Sequence, residues 1–239
     1  MRLLLPLLFL ASQKEAQLPA QPATPAEELL QKAIAYHDPG GRWGSFHATF
    51  VLGHPDTGDT ITIDLPGQYF AVAGGGNYYV ADGTTCRYRY YDRKKQEQVA
   101  ARDLALDTDA CATVRRKRDY HTYLNGLPMK LADPGTPLEA EVVTAVFHGE
   151  EYLRLRVNYP KEGGTVETWE YFFDPETYAL SGYQFYRSDK PEGGEYLLLS
   201  GEETVGGIKM IKRKDWYLRE DDRHLGADVI LGETTGVRY

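Results

Sequence analysis

Residues 142–217 read VVTAVFHGEEYLRLRVNYPKEGGTVETWEYFFDPETYALSGYQFYRSDKPEGGEYLLLSGEETVGGIKMIKRKDWY, and the turns in this stretch decide the fold. Six runs rich in β-branched and aromatic residues stand out: Val142 to His148, Tyr152 to Tyr159, Thr165 to Phe173, Leu180 to Arg187, Glu195 to Glu203 and Ile208 to Tyr217. Glycine, proline and acidic residues separate them, at Gly149-Glu150, Pro160 to Gly164, Asp174 to Thr177, Ser188 to Gly194 and Val205 to Gly207. The gaps leave no room for crossover helices, so the spacing predicts antiparallel hairpins in a meander.

Side chains alternate along a strand, so each run assigns its own faces. Leu153, Leu155, Val157 and Tyr159 share one face, and Arg154, Arg156 and Asn158 take the other. Trp169, Tyr171 and Phe173 line up together, yet Val166 and Phe172 lie opposite, and Tyr196 to Leu199 are apolar on both sides. A sheet apolar on both faces needs cover on both, from helices, a second layer or a ligand.

Upstream, a first meander is expected over Ser45 to Gly53, Thr60 to Leu65, Gln68 to Ala73, Tyr78 to Ala81 and Cys86 to Tyr91, with a weak strand near Gln96 to Ala100. That brings the chain to about a dozen strands. Turns fall at His54-Pro55-Asp56-Thr57-Gly58, Pro66-Gly67, Gly74 to Asn77 and Asp82-Gly83. Thr24-Pro25-Ala26-Glu27 has the form of a capping box. It predicts a helix with Leu29, Leu30, Ala33, Ile34 and His37 on one face, ended by Asp38-Pro39-Gly40-Gly41. A second helical pattern runs from Asp107 to Asn125, with Ala110, Val114, Tyr120, Tyr123 and Leu124 on its face and Gly126 as its cap. Arg115-Arg116-Lys117-Arg118 reads as a solvated part of that helix.

The chain has 239 residues, 42% hydrophobic and 26% charged, and a formal net charge of −8. The acidic balance argues against nucleic acid or an anionic membrane as the main partner. Met1 to about Ala16 joins Arg2 to the apolar run Leu3 to Ala11, a signal-peptide pattern too short to span a bilayer. Gln17 to Ala23 follow as a linker, which leaves 24–239 as one domain. No cysteine follows the apolar run, so an exported protein, periplasmic or extracellular and without a lipid anchor, is expected. In an oxidising compartment Cys86 and Cys111 either form a disulfide closing a loop of about 25 residues, worth roughly 3 kcal/mol, or remain two buried thiols.

Chemistry is sparse. No nucleophile elbow, phosphate-cradling loop or zinc-binding histidine pattern occurs, and the histidines at 37, 47, 54, 121, 148 and 224 are scattered. Neither catalytic residues, a metal nor a cofactor is expected. Asp221-Asp222-Arg223-His224 reads as a charged turn. A hydrolase using His121 or His224 would need a carboxylate and a nucleophile converging there.

Tyr171 to Leu180, then Gly193-Gly194-Glu195-Tyr196, then Gly206-Gly207-Ile208-Lys209-Met210 resemble the second half of the LolA/LolB-like superfamily, which includes lipoprotein carriers. Ala35 to Trp43 and Tyr123 to Leu131 resemble an uncharacterised family of secreted bacterial proteins, a domain of unknown function, over nearly all of the mature chain. The resemblance implies an α+β fold in which a strongly curved antiparallel sheet forms an incomplete β-barrel, with helices on the concave side and an apolar cavity within. It also implies acyl chains as cargo, with no individual contact residue carried over. The expected function is noncatalytic binding of a lipid or other hydrophobic ligand in the cell envelope. On the strand faces above, Leu153, Leu155, Val157, Trp169, Tyr171, Tyr183, Phe185, Leu197 and Leu199 are the candidate cavity residues. The alternative is a half barrel that docks an envelope protein partner.

Overall fold

The local sequence sets up hairpins, and tertiary pairing joins them into one sheet. A computed structural model describes residues 23–53, 58–236 and 238–239, without the side chain of Glu162. The signal-peptide segment, the linker up to residue 22 and the turn residues 54–57 lie outside the described residues. The strands are β1 (His47–Leu52), β2 (Asp59–Asp64), β3 (Tyr69–Gly74), β4 (Asn77–Asp82), β5 (Thr85–Asp92), β6 (Glu97–Ala105), β7 (Val143–Phe147), β8 (Glu150–Pro160), β9 (Val166–Phe173), β10 (Leu180–Arg187), β11 (Lys190–Val205), β12 (Ile208–Leu218) and β13 (His224–Glu233). They form one open antiparallel sheet in the order β6-β5-β4-β3-β2-β1-β13-β12-β11-β10-β9-β8-β7.

The weak strand expected near Gln96 to Ala100 is present and runs on to Ala105, and the described residues contain thirteen strands, one more than the sequence runs because β13 was not anticipated. β13 pairs with β1 on one side and β12 on the other, so it is the strand that joins the two meanders. The Asp221 to His224 turn delivers the chain into it. There Asp222 accepts a hydrogen bond from the Tyr196 hydroxyl at 3.0 Å, and the Asp221 carboxylate accepts one from the Arg223 amide at 3.2 Å.

Helix α1 (Pro25–His37) begins on the capping box: Thr24 Oγ1 accepts from the Glu27 amide at 3.3 Å, and Glu27 Oε2 accepts from the Thr24 amide at 2.7 Å. Its far end is stapled through His37. The ring Nδ1 donates to the Lys209 carbonyl at 2.8 Å while Nε2 accepts from the Leu180 amide at 3.0 Å. That arrangement requires a neutral ring, and burial pushes its pKa down. Asp38 then accepts from the amides of Arg42 and Trp43, both at 2.8 Å, which turns the chain into β1.

Helix α2 is shorter than its sequence pattern. A 3₁₀ turn occupies Asp109–Cys111 and the α-helix spans Ala112–Asn125. Its buried face is Val114, His121, Leu124 and Asn125, while Ala110 and Tyr120 are exposed. The Cys86–Cys111 disulfide pins its N-terminal end to β5. At the other end the Trp43 ring packs on Gly126, where a Cβ would lie 2.4 Å from the indole. The two segments that carried the narrow resemblance, Ala35 to Trp43 and Tyr123 to Leu131, therefore touch each other.

Both sheet faces are covered, as their two-sided apolarity demanded. On the concave side one cluster joins Phe46, Phe50, Ile61, Phe70, Cys86, Val114 and Ile208, and a second joins Leu29, Leu30, Leu124, Leu155, Tyr171 and Leu197. Ile34 packs against both. On the convex side the sheet covers itself with aromatic rings: Phe147 stacks on Phe172 at 4.0 Å and Tyr196 on Tyr217 at 4.9 Å. Gly182 leaves room for the Phe147 ring, which a Cβ there would approach to 2.5 Å.

Candidate ligand-binding site

A cavity of about 610 Å³ opens where the β2–β3 turn, α2 and the loop after it meet. Its apolar wall is Ile63, Leu65, Phe70, Tyr123 and Tyr159. Its rim carries Asp64, Arg118, Asp119, Lys130 and Asp133. Volumes of this size are typical of small-molecule sites.

The rim charges are matched internally. Arg118 pairs with Asp119 at 2.9 Å and Lys130 with Asp133, while Asp64 faces His47 at 3.0 Å and Arg238 at 3.2 Å. Arg118, which the sequence pattern placed on a solvated face, lines the cavity instead. Arg115 turns inward to the carbonyls of Leu106 and Thr108, and Lys117 lies 4.9 Å over the Tyr79 ring.

A chain of phenols runs back from the inner wall, where Tyr123 and Tyr159 line the cavity. Tyr123 Oη lies 3.1 Å from Tyr159 Oη and 2.5 Å from Tyr171 Oη, so three hydroxyls share two hydrogen bonds. Burial raises the pKa of Tyr123 and of Tyr171 well above the usual tyrosine value, so both stay protonated and act as hydrogen-bonding groups rather than acids. Trp169 packs edge-on to Tyr123 at 5.8 Å and stacks on Phe185 at 4.3 Å.

The nine residues singled out from the strand faces come together on the concave side in one cluster. Leu155, Val157, Tyr171, Tyr183 and Leu197 are fully buried there, and Leu153, Trp169, Phe185 and Leu199 are half-buried. None of the nine is among the residues lining the 610 Å³ cavity. They pack instead beneath Leu29, Leu30, Leu124, Leu127 and Leu131, and meet the cavity wall through the Tyr171–Tyr123 hydrogen bond and the Trp169–Tyr123 ring contact. The cavity residues Ile63, Leu65, Phe70 and Tyr123 were missed as a site because they come from three separate elements. Their sequence signal was that of ordinary core.

Beneath α2 lies a polar cluster with no counterpart in the sequence reading. Lys214, 2% exposed, donates to Asn125 Oδ1 at 3.1 Å and to the Ile211 carbonyl at 3.3 Å. Asn125 in turn donates to the His121 carbonyl at 2.9 Å. Burial pushes the Lys214 ammonium down to about 8, against a partial offset from Asp228. Burial, then the charges of Lys117 and Lys214, push His121 down to about 4. Two side-chain atoms among the described residues are buried without a hydrogen-bond partner, His121 Nδ1 and Tyr183 Oη. On the sheet surface, His224 Nε2 lies 3.1 Å from Asp215 Oδ1, but Arg213 already grips that carboxylate with two hydrogen bonds.

The profile described as a family of unknown function, DUF6503, matches residues 17–233. No curated protein matches the chain. Among solved structures, it is similar to a domain from Vibrio parahaemolyticus provisionally assigned to outer membrane lipoprotein sorting. That pair shares 10% identity, covers 88% of this chain and 93% of the other, and has a TM-score of 0.46. It is also similar to a LolA superfamily protein from Nitrosomonas europaea, with 12% identity, 87% and 90% coverage and a TM-score of 0.43. At these values neither likeness bears on what this chain binds.

Proposed function

The chain belongs to the DUF6503 family, to which no function is assigned, and from its own geometry we propose that it binds a lipid or other hydrophobic ligand noncatalytically in the bacterial cell envelope, as a carrier or sensor. The observation that carries this reading is the 610 Å³ cavity with an aromatic inner wall and an internally paired rim. Apolar surface supplies affinity there, and charges that already satisfy one another impose no charge on the ligand. Of the nine strand-face residues, Tyr171 reaches the cavity through its hydrogen bond to Tyr123, while Leu153, Leu155, Val157, Trp169, Tyr183, Phe185, Leu197 and Leu199 pack behind it and support that wall. Residues 24–239 act as one unit in this scheme. The Cys86–Cys111 disulfide supports export, because such bonds persist in oxidising compartments. No helix among the described residues is long and apolar enough to cross a membrane.

The test is native mass spectrometry, with organic extraction, on protein purified without detergent. A co-purifying or re-added lipid should be retained by the wild type and lost on Leu65→Asp, which puts a charge on the half-buried cavity wall. A bare-protein mass together with no uptake of added lipid would refute the reading. A second reading, docking of a protein partner, draws on edge strand β7, where Val143 and Val146 are 39% and 69% exposed and the outer backbone edge is unpaired. Capture of a defined envelope partner that is abolished by Val146→Lys would support it.

A further inference from the structure

Buried lysines are rarely left with neutral partners alone. Taking an ammonium out of water costs several kcal/mol unless a counter-charge or a full set of hydrogen bonds compensates. Lys214 has neither. Its two acceptors are an amide and a carbonyl, and among the described residues no carboxylate oxygen lies within 4.0 Å of its Nζ. Asp228 stands directly opposite across the β12–β13 pair, but its Oδ2 is engaged by the Trp216 indole at 3.0 Å. One ammonium hydrogen is left to spare.

The unpartnered polar atoms sit on the same concave face. His121 is one helical turn before Asn125, which holds the Lys214 head, and its Nδ1 has no partner. Tyr183 lies two strands from Lys214's own strand, with its ring against Trp169 and Tyr171, and its hydroxyl is equally unpartnered. The charged groups around this face are Lys117 on α2, Asp228 on β13 and Glu195 on β11. Buried polar groups are almost always satisfied, so an ammonium hydrogen, a hydroxyl and a ring nitrogen left open in an apolar bed point to an absent partner.

The cluster is one ring away from the cavity. Phe70 lines the cavity and also stacks on His121 at 6.0 Å and 21°. The wall around it is apolar: Leu124, Leu197, Leu199 and Trp216. A buried ammonium with a hydrogen to spare and two unpartnered polar atoms in an apolar bed match one ligand chemistry, a carboxylate on a hydrocarbon chain, since the carboxylate offers several lone pairs to the ammonium, hydroxyl and imidazole.

We propose that the ligand is a fatty acid or other carboxylate-terminated lipid, bound head inward, with Lys214 as its counter-cation and the chain running past Phe70 into the cavity. This rests on the hydrophobic-ligand reading and specifies its chemistry. Phe70 is the partition that turns aside when the head enters.

The test is displacement of the neutral fluorophore N-phenyl-1-naphthylamine at pH 7 by dodecanoate and, separately, by dodecanol, which share a chain and differ in the head. In the wild type, dodecanoate should displace at a concentration about tenfold lower or less, the factor one charge-assisted hydrogen bond gives. In Lys214→Met the preference should vanish, with dodecanoate losing at least about tenfold in affinity and dodecanol losing less. Equal displacement in the wild type overturns the carboxylate assignment and leaves the cavity reading intact. A preference that survives in Lys214→Met overturns Lys214 as the counter-cation. Failure of the fluorophore and both lipids to bind the wild type removes both readings together.

Discussion

Replacing Lys214 by methionine should make the empty protein more stable. The lysine is fully buried and its pKa falls from 10.5 to about 8. That drop corresponds to about 3 kcal/mol by which folding disfavours the ammonium relative to the neutral amine. Methionine fills a similar volume with no charge, so the cost disappears. Asn125 Oδ1 loses its donor in exchange, at a cost of about 1 kcal/mol. The balance is a gain of about 2 kcal/mol. Urea unfolding at pH 7, followed by tryptophan fluorescence, measures it. The pH dependence supplies an internal check. A base whose folded pKa lies below its unfolded value binds fewer protons when folded, so wild-type stability should climb as pH rises from about 8 towards 10.5. The methionine variant should lack that rise. A variant destabilised by 1 kcal/mol or more, together with a flat wild-type profile over this window, would show that Asp228 or solvent already compensates the ammonium. The argument for an absent anion would then fail with it.

His121 works in the acid range. Its folded pKa of about 4 lies below the ordinary 6.5, so its stabilising contribution is complete above pH 6.5 and is lost as pH falls towards 4, by about 3 kcal/mol. Denaturation midpoints at pH 7, 5.5 and 4 should show this loss, reduced in His121→Leu. Gly126→Ala should destabilise by about 1–3 kcal/mol in thermal unfolding, because the new methyl would lie 2.4 Å from the Trp43 indole and 2.6 Å from the Thr122 carbonyl. Removing the disulfide with Cys86→Ala and Cys111→Ala together should cost about 3 kcal/mol in urea, given its loop of 25 residues. It should also loosen α2, seen as faster amide exchange from Ala112 onward.

The hairpins were legible because their information is local. Asp174 shows why: its Oδ1 accepts from the Glu176 amide at 3.0 Å and from the Thr177 amide at 2.7 Å, so the turn after β9 is built by the residues that spell it. The same holds for Thr24 and Glu27 at the start of α1. The face of α2 was read one notch off, towards Ala110 and Tyr120. An apolar-stripe rule does not anticipate His121 and Asn125 pointing inward, and they do so because Lys214 and Phe70 wait for them on strands far away in sequence.

The cavity shows the same division. Strand alternation placed all nine predicted residues on the concave side, since period two is fixed by backbone geometry. It carried no information on which part of that side the helices would fill. Leu29, Leu30 and Leu131 close over Leu155 and Leu197, and the open volume is left where α2 meets the β2–β3 turn.

By itself, then, the sequence determined the strands up to β12, their turns, the capped first helix and the two-sided character of the sheet, all of them properties of neighbours along the chain. Tertiary structure alone decided that β13, with its glycines and charges, inserts between β1 and β12 to make one sheet of two meanders. It alone decided that Cys86 meets Cys111, and that a lysine from β12 ends beneath a helix with no carboxylate of the described residues in ion-pair reach. Each of these is a contact between residues distant in sequence, selected by the total burial and hydrogen bonding of the folded chain rather than by any local preference.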